Sequence, residues 1–334
     1  MGILIAAFLD LLGFSALLQT NVEVALDNMN SFNDIIKTRF IDNKCHPVEE
    51  YESNYPNDID FQNFVKKSSV TAFNQMISFS DSLVLGGEDC NLFIMQLANF
   101  IATAYIYYSE PFKKHFTDIN IVETNRSASG NKDGSIRYHK AFPLLFRGGV
   151  SVGENIGFFN EYHIHNNELK QTSLNVFGLT YLNAVKLEGA GNGPRLFCDK
   201  SVVDSIDDEV KKYIKLVDGE KGVYEIVWTI EGCEATDCSL SNKWNNVIDK
   251  IQDKMLPSAI NLYKYYRNSK DLECVNINLE LKYKELLDLV CIGIIKYAKD
   301  KCNREIDAIN CINKVLNNNQ LPSIGNSLME GFLR

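Results

Sequence analysis

Two carboxylates stand in apolar company. Asp10 follows directly on the run ILIAAFL (3–9), and Asp81 sits between the apolar stretches 75–79 and 82–85. An ionised carboxylate beside a core is costly unless it is paired, hydrogen-bonded or bound to a metal. Two of them brought to one place offer the hard oxygen ligands that suit Mg²⁺ or Mn²⁺. The plainer alternative makes Asp81 a turn residue and Asp10 a helix cap, and spacing alone leaves both open. Gly13, Phe14 and Ser15 lie between the first apolar run and a helical pattern, where backbone N–H groups could face phosphate oxygens. Arg147 sits inside the apolar run LLFRGGVSV (144–152), so it either meets a substrate or pairs with a carboxylate of the core. Gly148 and Gly149 beside it permit close backbone approach. His163 and His165, two positions apart, lack a third metal ligand and read as surface residues.

The elements that must position these groups follow from periodicity. Residues 3–9 read as a buried strand, followed by a helical pattern to about Phe40. Residues 41–60 carry Pro47, Pro56 and six acidic residues and read as an exposed connection. A short helix is expected over 61–72, then two strands joined tightly at Ser80-Asp81, then an apolar helix over 91–108. The polar, glycine-containing segment 124–140 reads as a surface loop. Strands are expected at 144–152, near 157–165, at 195–198 and at 222–230, with helical spacing over 174–188. From about 240 to 319 the spacing is helical, with breaks near Pro257 and at 269–271. This order predicts an α/β (α+β) sandwich, helices covering a mixed, mainly antiparallel sheet, with a C-terminal helical extension. The chain divides on this reading into a catalytic domain over 1–235, with insertions near 41–60 and 124–140, and a helical extension over 240–334.

Composition narrows the function classes. The 334 residues are 45% hydrophobic and 23% charged, which permits a core of ordinary size and excludes wholesale disorder. With 34 basic against 43 acidic residues, a net charge of −9 argues against a general nucleic-acid binder, whose affinity comes from phosphate neutralisation. Nine cysteines without a CxxC pair fit neither a disulfide framework nor a zinc site, and reduced thiols in a cytoplasmic protein are expected. The apolar N-terminal run lacks a cationic flank and contains Asp10, so neither a signal peptide nor a membrane span is expected.

Four segments in order, FLDLLGFS (8–15), FSDSLVL (79–85), RGGVSVGE (147–154) and GLTYLNAVKLEG (178–189), resemble the class III nucleotidyl cyclases. Among these the chain looks most like the bacterial anti-phage Pycsar cyclases, which make cyclic pyrimidine mononucleotides. The resemblance covers about residues 3–200. It implies a ferredoxin-like catalytic domain in which Asp10 and Asp81, with the carbonyl of Leu11, bind two ions of Mn²⁺ or Mg²⁺. It implies that Gly13, Phe14 and Ser15 hold the triphosphate, and that UTP or CTP is converted to its 3′,5′-cyclic monophosphate and pyrophosphate. The position that reads the base in purine cyclases, four before the hairpin aspartate, is Ile77, which neither donates nor accepts; the second base-reading position is Asn175. The family's transition-state Asn and Arg fall on Leu182 and Lys186, and lysine keeps the charge without the bidentate fork. Lys186 or Arg147 is then the phosphate cation. Tyr181 either stacks on a base or fills the core. The resemblance also implies a homodimer with shared active sites, a second-messenger product and a separate effector activated by it. A conventional adenylate or guanylate cyclase, and a catalytically inactive nucleotide-binding sensor, are the alternatives.

Overall fold

The computed structural model describes residues 4–20, 22–41, 56–109, 121–124, 137–140, 143–154, 157–165, 168–234, 243–268 and 277–332. The chain opens with strand β1 (Leu4–Leu11), helices α1 (Phe14–Thr20) and α2 (Val22–Ile36), and a π-helical turn over Lys37–Ile41. Helix α3 (Ile59–Ser68), strands β2 (Gln75–Phe79) and β3 (Ser82–Gly87), and helix α4 (Cys90–Tyr108) follow. Strands β4 (Ile121–Thr124), β5 (Arg137–Lys140), β6 (Phe146–Gly153), β7 (Gly157–His165) and β8 (Glu168–Phe177) lead to helix α5 (Leu179–Glu188). Next come β9 (Leu196–Asp199), α6 (Lys200–Ser205), α7 (Asp208–Lys211), β10 (Ile214–Asp218), β11 (Val223–Ile226) and α8 (Thr229–Glu234). Helices α9 (Lys243–Gln252), α10 (Met255–Asn268), α11 (Ile277–Cys302) and α12 (Glu305–Asn318) follow, and a 3₁₀ turn over Asn326–Met329 completes the order.

Seven strands form one sheet in the order β10-β11-β9-β6-β1-β3-β2. Its neighbours run antiparallel except for the β6–β9 pair, so the expected mixed, mainly antiparallel α/β architecture is present. Alternation along β1 decides what each face does. Ile5, Ala7, Leu9 and Leu11 point into the main core, where they meet Phe93, Leu97, Phe100 and Ile101 of α4. The intervening residues, Phe8 and Asp10, point to the opposite face. There α5 lies directly on the sheet: a Cβ on Gly149 would collide with the Ala184 carbonyl and come within 2.6 Å of Leu187 Cβ. Phe8 meets Tyr181 of α5 edge-on, with ring centroids 6.4 Å apart.

Helix α4 is the one helix among the described residues long and apolar enough to cross a membrane by length and composition. Most of its apolar residues are buried in the core just described, and Asp89 caps its first turn by accepting from Leu92 N–H at 3.0 Å. The C-terminal helices share that core. Leu286, Leu289, Val290, Ile294 and Ile295 of α11 belong to the same contiguous buried cluster as the sheet residues. A Cβ on Gly293 would lie 2.7 Å from Thr229 Cβ, and Thr229 Oγ1 donates to the Leu289 carbonyl at 2.7 Å. All six described cysteines are free thiols.

Several expectations need correction. Residues 174–177 are not helical; they finish β8, and the helix begins only after Gly178, whose φ of 128° marks the change of direction. Residues 121–124 and 137–140 pair as a small hairpin; the rest of the expected loop, 125–136, lies outside the described residues. The same holds for 42–55 of the expected acidic connection. Strand β10, IKLVD, was not anticipated. The expected break near Pro257 is present at 253–254, between α9 and α10, and Pro257 itself sits in the first turn of α10, where its missing N–H costs nothing.

Candidate active site

The hairpin β2–β3 closes through Ser80 and Asp81, with Phe79 facing Ser82. Ser80 adopts the left-handed conformation, φ 53°, that a two-residue connection demands. The turn is tied to β1 because Leu11 N–H donates to the Asp81 carbonyl at 3.0 Å, while Asp10 stands opposite Ser82 in register. The two aspartates, 71 positions apart by their numbers, are thereby brought to adjacent places at one end of the sheet. Strand β1 continues through Asp10 to Leu11 and the next helix starts at Phe14, so Asp10 is a strand residue and not a helix cap.

Asp10 is held from both sides. Ser82 Oγ donates to its Oδ1 at 3.1 Å. Arg147, its neighbour across β6, donates to Oδ2 from Nε at 3.1 Å and from Nη2 at 3.0 Å. Glu188, the last residue of α5, places Oε1 2.5 Å from the same Arg147 Nε. That nitrogen has a single hydrogen, directed at Asp10, so the buried Glu188 Oε1 is left without a hydrogen-bond donor. Asp81 takes part in no hydrogen bond or ion pair with its carboxylate among the described residues.

Burial pushes the Asp10 carboxyl above the ordinary aspartate range; Arg147 works against that, and the charge of Asp81 adds to it. Burial likewise raises Glu188, opposed by Arg147 and by Lys282 and reinforced by Asp10. Lys282, on α11, is itself pulled below the ordinary lysine range by burial and by the like charge of Arg147. Two carboxylates, Asp10 and Glu188, therefore share one guanidinium, that of Arg147.

The other residues singled out in the sequence spread around this cluster. Gly13, φ 83°, turns the chain into α1; Phe14 packs on Leu17 and Ala25, and Ser15 is exposed. Ile77 is buried on β2 opposite Val84, on the same sheet face as Phe8 and Asp10. Asn175 lies on β8 opposite Phe159. Lys186 is exposed on α5 and makes no ion pair among the described residues. Leu182, in place of the family's asparagine, is 44% exposed. Tyr181 is half-buried against Phe8. Sequence reasoning passed over Ser82 and Glu188 as members of the site. Ser82 adjoins Asp81 and Glu188 closes the quoted segment 178–189.

No group of three His, Cys, Asp or Glu side chains forms a metal cage among the described residues. What the geometry offers is a pair of carboxylate residues, Asp10 and Asp81, brought side by side by the β1–β3 register. That set fits Mg²⁺ or Mn²⁺, ions that keep several positions for substrate and water. A cation at Asp10 would have to exchange with Arg147 for Oδ2.

No family model and no curated protein matches the sequence. Among solved structures, the chain resembles the adenylyl cyclase CyaB from P. aeruginosa at a TM-score of 0.36 and 12% identity, over 67% of this chain and 93% of that one. An adenylate cyclase from Trypanosoma brucei in its monomeric state gives 0.36 and 12%, over 68% and 90%. The guanylyl cyclase domain of the RhoGC fusion protein from the aquatic fungus Blastocladiella emersonii gives 0.34 and 10%, over 68% and 96%.

Proposed function

We propose that this protein is a divalent-cation-dependent nucleotidyl cyclase of the class III type, acting on a pyrimidine ribonucleoside triphosphate. The observation that carries the reading is the convergence of Asp10 and Asp81, fixed by the β1–β3 register and the Leu11 N–H to Asp81 carbonyl bond. Divalent cations bound there would neutralise the triphosphate and make the ribose 3′-hydroxyl a better nucleophile. In this reading Asp10 and Asp81 would hold the cations that anchor the phosphates, and the Gly13–Ser15 segment, where Gly13 turns the chain into α1, would lie along the triphosphate. In the reaction the 3′-oxygen bonds to the α-phosphorus, the bond from that phosphorus to the bridging oxygen breaks, pyrophosphate leaves, and the hydroxyl proton passes to solvent. Arg147 is placed to take up Glu188 fully once Asp10 engages a cation, because both carboxylates already touch its Nε.

Pyrimidine preference is supported by Ile77, buried and unable to hydrogen-bond where purine cyclases of the family carry a base-reading side chain. A homodimer with shared sites is supported by exposed apolar side chains, Val22 and Leu26 on α2 and Phe177, Leu179 and Leu182 around the β8–α5 junction. The cyclic product would serve as a second messenger for a separate effector in anti-phage defence. The second reading is a nucleotide sensor, favoured by the occupation of Asp10 Oδ2 by Arg147. The two are separated by pyrophosphate release from nucleoside triphosphates with Mn²⁺. A cyclase releases it, Asp81→Asn abolishes the release, and mixing Asp10→Ala with Lys186→Ala subunits restores part of it. A wild type that binds nucleotide and releases no pyrophosphate refutes the cyclase.

A further inference from the structure

Glu188 stands where local rules disfavour it. It is the last residue of α5, at the negative end of the helix dipole, and its side chain is mostly buried. Its one ion-pair partner among the described residues is Arg147. The buried Oε1 accepts no hydrogen bond, although Arg147 Nε lies 2.5 Å away. The single Nε hydrogen is spent on Asp10 Oδ2, to which Nη2 also donates. Glu188 thus carries its desolvation cost uncompensated beside the group that could relieve it. Both carboxylates are held in place. Helix α5 is locked on the sheet at Gly149, and Ser82 Oγ holds Asp10 Oδ1 at 3.1 Å. Only the guanidinium between them can change partner. Turning its Nε–H from Asp10 to Glu188 needs a rotation of the side chain and no movement of the backbone.

We propose that Glu188 is a positioning residue, a reserve partner that receives Arg147 when a divalent cation takes Asp10 Oδ2. The proposal rests on the function proposed above and adds to it how cation entry is regulated. In the metal-free protein Arg147 neutralises Asp10 and keeps Oδ2 closed. A cation arriving there displaces the guanidinium, which is costly where no other acceptor is within reach. Glu188 is that acceptor, so the hydrogen bond lost at Asp10 is regained at Oε1. The site then has two states, one closed with Arg147 on Asp10 and one open with Arg147 on Glu188. Removing Glu188 leaves only the closed pairing. Cation binding weakens through Arg147, over and above the lost attraction of the Glu188 charge.

Mn²⁺ affinity of the full chain without nucleotide, measured by calorimetry, separates the two routes in a double-mutant cycle. Glu188→Met should weaken Mn²⁺ binding about tenfold more in the wild-type background than in Arg147→Met, the fold-change expected of one charge-assisted hydrogen bond. Loss of the Glu188 charge alone weakens both backgrounds equally. A second arm reads the Arg147 Nε–H resonance and does not depend on the folding of Arg147→Met. With Mg²⁺ bound, the wild-type Nε–H should shift yet stay protected from solvent exchange, and in Glu188→Met it should lose that protection. Equal weakening in the two backgrounds overturns the proposal, as does an Nε–H that bound Mg²⁺ leaves unmoved in wild type or protected in Glu188→Met. If no Mn²⁺ or Mg²⁺ binds in a way that depends on Asp10, the proposed function fails, and Asp10→Ala stands in for the engaged carboxylate. A protected Arg147 Nε–H in Asp10→Ala that is lost on adding Glu188→Met then upholds the exchange, and any other pattern overturns it.

Discussion

Replacing Arg147 by methionine keeps much of the side-chain stem and removes the charge that Asp10 and Glu188 share. The two carboxylates are 17% and 16% exposed and the arginine 35%. Breaking a fully buried pair by deleting one partner costs about 3–5 kcal/mol, and losing an exposed pair costs about 0–1 kcal/mol. The partial exposure of Arg147 places this site between them, at about 2 kcal/mol near neutral pH. The cost depends on pH with a definite sign. Asp10 and Glu188 both have folded-state pKa values raised by burial, so their contribution to stability is full below the unfolded pKa and is lost as pH rises through the folded one. Arg147 limits that loss in the wild type. Without it both carboxyls titrate higher still, so the penalty is largest at neutral pH and shrinks as the two groups protonate. Urea unfolding of wild type and Arg147→Met at about pH 7.5 and about pH 5 should show the difference narrowing on acidification. A penalty that is independent of pH, or one below about 0.5 kcal/mol at neutral pH, refutes the electrostatic account of the cluster.

Away from the site, Lys67 bridges Glu231, 1% exposed, at 3.2 Å and Glu234 at 2.8 Å. Lys67→Met should destabilise the fold by about 3–5 kcal/mol in urea unfolding, because a buried carboxylate loses its partner. Gly149→Ala should displace α5 from the sheet and lower stability by about 1–3 kcal/mol, the cost of overpacking, with the thermal midpoint as readout. Tyr105→Phe removes the hydroxyl that donates to the buried Met255 carbonyl at 2.9 Å and should cost about 1 kcal/mol, measured the same way.

What could be read from the sequence was local. The apolar run at 3–9 and the tight connection at Ser80-Asp81 announced themselves as strand and hairpin, because burial on both faces leaves continuous apolar residues and a two-residue turn leaves little choice of register. Residues 174–177 misled because a short apolar stretch satisfies either period, and only pairing with β7 decides for the strand. Strand β10, IKLVD, was missed because its three aliphatic residues do not alternate with polar ones, and only Ile214 is buried. Within the site, Asp10 and Asp81 were conspicuous by their company. The network around Asp10 was not, because Arg147 on β6 meets Glu188 through the stacking of α5 on the sheet. That contact is tertiary and leaves no mark in the spacing of any one segment.

The central claim is that Asp10 and Asp81 together serve a cyclisation of a pyrimidine nucleotide. Its most direct test is identification by mass spectrometry of the products formed from ATP, GTP, UTP and CTP with Mn²⁺, by wild type and by Asp81→Asn. Cyclic UMP or cyclic CMP from wild type, and none from the variant, is the predicted result. Cyclic AMP or cyclic GMP alone would contradict the pyrimidine assignment, and product formation that survives the loss of the Asp81 charge would contradict the claim itself.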